Sequence, residues 1–226
     1  MARDFDGTND RIDCGSDASL DSFSSKTMAY WYVRDVGLAV HSIIQKDRFA
    51  IGWGAGHGSI ANNKVYFMRD FDTTNGEWTS TNVVGAGAIS HVVITYVDGI
   101  SNDPVIYLNN VSETVLEVST PTLTVVDDAA NSLTLGETGG GANDFNGRLG
   151  FVCYDNTIWT AADVNRHYWW GCAPGGPSTV KVWQPFWTSE LTNKGTAVAN
   201  GTATGTTMAS LPRVERMWGS MMGCGR

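Results

Sequence analysis

Charged side chains are scarce in this chain. They make up 17% of its 226 residues, against about a quarter in an ordinary soluble domain, which excludes a coiled coil. Basic residues are scarcer still, 15 against 23 acids, and none occurs from Asp70 to Gly147. Nucleic-acid binding draws its non-specific strength from Lys and Arg on phosphates, so no nucleic-acid partner is expected. The acidic stretch reads as a solvated surface, or as a site for a cation or a basic partner. Long apolar runs are missing too. The most apolar stretch, 83–97, is broken by Ser90 and His91 and is too short to cross a bilayer, so no membrane insertion is expected. The opening Met1-Ala2-Arg3-Asp4-Phe5-Asp6-Gly7 lacks the apolar segment of a signal peptide, and none is expected. The four cysteines, at 14, 153, 172 and 224, form no CxxC, so free thiols are expected rather than a zinc site.

What the chain does have is glycine, aromatics and β-rich runs. With 26 Gly, 9 Trp and 42% hydrophobic residues it can bury a core through turn-rich β-structure. The run 27–33 is dense in aromatic and β-branched residues, and 91–97 repeats the pattern before the turn pair Asp98-Gly99. Val105 to Leu108 meets Asn109-Asn110, which suits a two-residue hairpin. Leu133 to Gly136 reads as a short strand, and in 148–154 Leu149, Phe151 and Cys153 are expected on one face, with Cys153 a small core residue. One short helix is predicted from Ala161, with Thr160 as cap, Asp163 at its third position, and Trp169-Trp170-Gly171 ending it. Beyond the breaker cluster Pro174-Gly175-Gly176-Pro177, a strand within 180–187 and the Thr- and Gly-rich stretch 195–210 are expected to lie on the main body, since about 50 residues bury little alone. The prediction is all-β, an antiparallel two-sheet sandwich with one short helix, with a core at 1–173, added strands at 174–210 and a C-terminal arm at 211–226.

Several phrases resemble the laminin-G-like (LamG) jelly roll of the concanavalin A-like lectin and glucanase superfamily. Phe5-Asp6-Gly7-Thr8-Asn9-Asp10-Arg11-Ile12-Asp13 is similar to its first-strand phrase, 27–33 with Trp31 to its T-x-x-x-W strand, and 91–99 to its central H-V-A-x-T-Y-D-G. Tyr107-Leu108-Asn109-Asn110 stands where Y-x-N-G is usual, and 145–155 resembles F-x-G-x-I-D-x-V-R-I-Y-N. The set covers roughly 4–170 in the family's order. Ser90, Asn110 and Gly150 depart from the family's Trp, Gly and acid at those places. The resemblance implies two stacked antiparallel sheets with loops at a rim, but no function, because the fold hosts lectins, hydrolases and scaffolds.

Catalysis is not expected. The glucanase phrase E-x-D-x-x-E is absent, and Glu113 and Glu117 have Thr114-Val115 where the middle acid belongs. There is no G-x-S-x-G, no Walker A loop and no H-E-x-x-H. Sugar binding needs an aromatic face beside polar partners. The glycine-flanked Trp53 and His57, together with Trp78 and Asn143, are the candidates, while Trp31, Trp159 and Trp183 read as core. The loop 139–144 offers oxygen ligands, and the resemblance implies calcium at a rim loop, with Asp144 as ligand; an exposed Asp on a glycine-rich turn is the other reading, and no cofactor is required. The stretch 211–226 is basic and rich in methionine, so Arg213, Arg216, Met217, Trp218, Met221 and Met222 read either as a loose end or as a docking arm. Two functions remain as expectations. One is a non-enzymatic structural or adhesion protein, a phage capsid-decoration protein on the virion surface, assembled in the host cytoplasm, contacting capsid or other virion protein and its own copies. The other is a soluble carbohydrate-binding lectin module, either with calcium at its rim or without it.

Overall fold

Alternating burial along Ser25–Arg34 sets the plan of the molecule. Met28, Tyr30 and Tyr32 enter the main hydrophobic core, while Ala29, Trp31 and Val33 enter two smaller clusters across the strand. Side chains of a strand alternate between its faces, so burial on both means that further layers cover it. The computed structural model describes residues 2–35, 41–47, 52–58, 63–129, 131–137, 144–171, 174–175, 180–184, 186, 191–197 and 200–209.

The chain opens with β1 (Ala2–Asp6), β2 (Arg11–Asp13), β3 (Ser25–Arg34), β4 (His41–Asp47), β5 (Gly52–Gly58) and β6 (Lys64–Arg69). Then come β7 (Gly76–Val83), β8 (Ser90–Val97), β9 (Val105–Leu108), β10 (Val111–Ser112), β11 (Val115–Ser119) and β12 (Thr134–Leu135). The long β13 (Asn146–Asp155) is followed by helix α1 (Ala161–Trp170), then β14 (Val182–Gln184), β15 (Thr202–Thr204) and β16 (Thr207–Ala209). One sheet runs β10-β9-β8-β3-β13-β1-β16, with β14 also paired to β13; the other runs β11-β7-β6-β5-β4-β12-β2-β15. All pairings are antiparallel. Tyr30, Ile94 and Leu149 from the first sheet meet Ile44, Phe67 and Trp78 from the second in one shared core. This is the predicted β-sandwich. Asn109 and Asn110 turn β9 into β10 with φ of 51° and 71°, as the hairpin reading required.

β13 departs from the simple alternation. Its register against β3 shifts between Gly150 and Cys153, and Phe151 takes a φ of 50°. Such a bulge inserts one residue and reverses the facing of the residues after it. Leu149, Val152 and Tyr154 therefore share the main core, while Phe151 and Cys153 lie in the outer clusters. The expectation that Leu149 shares a face with Phe151 and Cys153 is corrected by that extra residue. Cys153 is a free, fully buried thiol whose pKa burial pushes up, as burial pushes that of Cys14 up to about 12.

Charge closes one end of the sandwich. Lys26 and Lys46 are fully buried and Arg69 nearly so. Lys26 Nζ donates to Asp98 at 2.5 Å, and Arg69 donates to both Asp98 oxygens at 3.3 Å. Lys46 Nζ donates to Asp21 at 2.7 Å and to the Asp128 carbonyl at 2.5 Å, with the Asp128 carboxylate 3.4 Å away. The cluster ties β3 of one sheet to β4 and β6 of the other. Burial outweighs the pull of Asp98 and lowers the Lys26 pKa to about 8. Removing one partner from such a network costs most where the remaining charge is deeply buried; without Lys26, Asp98 keeps both bonds from Arg69 and some contact with water. Asp128→Ala is expected to lower stability by about 3–5 kcal/mol in urea titration, and Lys26→Met to change it far less.

Candidate functional site

The loop between β1 and β2 is built from side chains that bond to backbone. The Asp10 carboxylate accepts the Asp6 N–H at 2.8 Å, and the Asp6 carboxylate accepts the Thr8 N–H at 2.7 Å. Asn9, at a φ of 61°, donates its N–H to Asp144 at 2.9 Å, and Asn146 Nδ2 donates to the Asp6 carbonyl at 2.9 Å. Short polar residues tolerate such turns because their side chains replace missing backbone partners. Asp10 is buried beneath the loop, while Asp6, Thr8 and Asn9 are exposed above it. The result is a pinned polar loop at the rim, made from segments 135 residues apart.

This loop is acidic. The Asp10 pKa is raised by burial first, against the Asp6 N–H bond, and then by the charges of Asp6, Asp4 and Asp144. The Asp4 pKa is also raised, by burial and then by Asp35, with Arg148 opposing. Asp144 thus joins Asp4, Asp6 and Asp10 in one acidic cluster. Among the described residues, however, no group of three or more acidic, His or Cys side chains is arranged to hold a metal ion. One oxygen each of Asp10, Asp6 and Asp144 accepts a backbone N–H.

The other sequence candidates fall elsewhere. Trp78 is fully buried, stacked on Phe67 at 5.9 Å between ring centroids, with its Nε1 donating to Asp103 at 2.7 Å. Gly76 lies so close that a Cβ there would sit 2.1 Å from the indole. Trp78 is therefore a core residue, and its expected role in sugar contact is corrected by that burial. Trp53 and His57 lie on β5, in register with Arg69 and Val65, and their side chains fall outside the described residues. Asn143, the Trp183 side chain and the arm residues Arg213, Arg216, Met217, Trp218, Met221 and Met222 also fall outside them. Trp31 and Trp159 are core, as expected. Glu113 accepts from the Asn82 N–H and amide, while Glu117 is exposed on β11. Sequence reasoning passed over Thr8 and Asn9 as site residues, although the run Asp-Gly-Thr-Asn-Asp carries the turn chemistry that displays them.

Helix α1 packs on the outer face of the β3–β8–β13 sheet. Thr160 and Asp163 form the predicted capping box, and Gly171 ends the helix at a φ of 63°. A Cβ at Gly171 would meet the Phe151 ring at 2.4 Å. Beneath, His167 Nε2 lies 2.9 Å from the Phe151 carbonyl and His167 Nδ1 lies 2.8 Å from His91 Nε2. A carbonyl only accepts, so His167 carries its proton on Nε2 and receives one from His91. Trp31 and Trp159 flank this pair. The exposed indoles Trp169 and Trp170, 53% and 42% open to solvent, sit at the end of the same helix.

No protein-family model matches the chain, and no curated protein matches it. Solved structures do. A protein described as carbohydrate-binding from Bacteroides ovatus superposes with a TM-score of 0.70 at 17% identity, over 94% of this chain and 60% of that one. A heptameric SAP-like pentraxin from Limulus polyphemus gives 0.58 at 10% identity, over 91% and 93%. The binding domain of Paraclostridial Mosquitocidal Protein 1 gives 0.51 at 14%, over 74% and 42%. The fold is of the concanavalin A-like kind. The chain spans only 60% of the Bacteroides protein's length.

Burial lowers the His167 pKa to about 4, against a pull upward from the Phe151 carbonyl. An unfolded histidine titrates near 6.5, so the unfolded chain takes up the proton first as pH falls. Stability is expected to hold above about pH 7 and to drop between about 6.5 and 4, by about 3 kcal/mol at most from this group. Urea titrations across that range read the slope, which His167→Gln should remove.

Proposed function

We propose that this chain is a non-catalytic, lectin-like carbohydrate-binding module whose rim loop 6–10 contacts the sugar. The observation that carries the reading is the pinned loop: buried Asp10 and half-buried Asp144 fix its backbone, and exposed Asp6, Thr8 and Asn9 offer acceptors and donors suited to sugar hydroxyls. A preorganised polar loop loses little entropy on binding. The fold shared with the Bacteroides protein and the pentraxin supports the same class. Neither neighbour is described as an enzyme, and the absence of the hydrolase motifs points the same way. The reading requires no cofactor, and calcium enters as an arm of the test, through Asp144. A glycan array run with calcium and with chelator is expected to retain the wild-type protein on a defined glycan set. Asn9→Ala and Asp6→Ala should each weaken retention by about tenfold, the loss of one or two hydrogen bonds. Trp53→Ala tests whether that candidate contributes. A wild-type protein that retains no glycan in either condition ends this reading.

A second reading, a LamG-like structural protein decorating the surface of a phage virion, is favoured by exposed apolar side chains along the β10–β11 edge. Val111 is 63% exposed, Leu116 45% and Val118 49%. The Limulus neighbour is itself a heptamer. On this reading the protein forms a stable symmetric oligomer through that edge or through the arm at 211–226. Light scattering after size exclusion should show the oligomer, and deletion of 211–226 should abolish it if the arm is the contact. A monomer at micromolar concentration that does not copurify with a particle removes this reading.

A further inference from the structure

We propose that the exposed face of helix α1 is a second glycan site, selective for a carboxylated sugar such as a uronate. It rests on the glycan-binding reading above but lies on the outer face of the other sheet. Tryptophan is highly buried on average, and the fully described indoles of Trp31, Trp78 and Trp159 are at most 3% exposed. Trp169 and Trp170 break that pattern side by side. They are not loosely hung, because Tyr168 stacks on Trp31 at 5.3 Å and meets Trp169 edge-on at 5.1 Å. The helix beneath is held by its capping box, by the bond from His167 to Phe151 and by the close approach of Gly171 to Phe151.

The polar partners come from helical spacing. Asn165 and Arg166 are exposed and stand four residues before Trp169 and Trp170, so each lies one turn below an indole. The Asn165 side chain is positioned by a 2.9 Å bond from Asn110. Arg166 makes no ion pair among the described residues, and the acid of α1, Asp163, is spent on the cap. No large aliphatic side chain is exposed on the helix, since Val164 is buried. Flat indoles beside a guanidinium and an amide suit the C–H faces of a sugar ring and its hydroxyls. In a chain of net charge -8, the unpaired guanidinium selects a carboxylate, which it can grip with two parallel bonds.

The test compares wild type, Trp169→Ala, Trp170→Ala, Arg166→Ala and the rim variant Asn9→Ala by calorimetry, against uronate-containing and neutral oligosaccharides. Circular dichroism and cooperative melting check that each variant folds. Wild type is expected to bind the acidic oligosaccharide, and the Trp169 and Arg166 variants to bind it about tenfold more weakly or worse, while Asn9→Ala leaves this binding intact. Unchanged affinity in the Trp169 and Arg166 variants overturns the site, as does a preference for neutral sugars. So does a wild-type oligomer that the tryptophan variants dissociate without altering sugar affinity, which would make the face a contact between copies. Sugar binding lost in Asn9→Ala alone overturns this site and leaves the rim reading standing. No binding to any sugar defeats both.

Discussion

The bulge at Phe151 is the constraint on which the rest of the outer layer depends. One inserted residue at a φ of 50° turns the second half of β13 over, sending Val152 and Tyr154 into the main core and Cys153 outward. It also separates the two partners along one edge of β13, where β1 pairs before the bulge and β14 pairs after it. The same residue holds α1, through its carbonyl to His167 and its ring under Gly171. A positive φ at a bulky residue is strained, so its persistence reflects how many contacts over-determine it.

The fold was largely legible in the amino-acid pattern because its signals are local. Thr160 and Asp163 announce the helix start, Gly171 its end, and Asn109-Asn110 the hairpin, each through backbone chemistry within a few residues. The bulge was not legible, since Leu149-Gly150-Phe151-Val152-Cys153 alternates well enough to be read straight. Nothing in the sequence around Gly150 states which strand lies alongside, and bulges are settled by that neighbour.

The candidate sites divide the same way. Asp144 was readable as a rim carboxylate, but its meeting with Asn9 is a product of topology. Trp78 stands just after Asn75-Gly76 and so looked displayable; only Phe67 on the neighbouring strand and Tyr96 across the sandwich show that its ring is enclosed. Trp169 and Trp170 looked like a helix terminus. Which side of α1 faces water is decided by His167 and Val164 docking on the sheet, and that choice leaves the indoles outside.

The strands β15 and β16 have a consequence for how this chain is made. β16 pairs Ala2 with Ala209, and β15 pairs Ile12 with Ala203, so the opening segments of both sheets gain these neighbours last. A ribosome delivers residue 203 long after residue 12. Until then β1 and β2 carry backbone groups awaiting partners, a hazard for intermolecular pairing while the polypeptide is still emerging. Distant pairing of this kind slows the search for the native topology. Closure of both sheets thus waits for residues 202–209 to emerge, however early the opening strands are made.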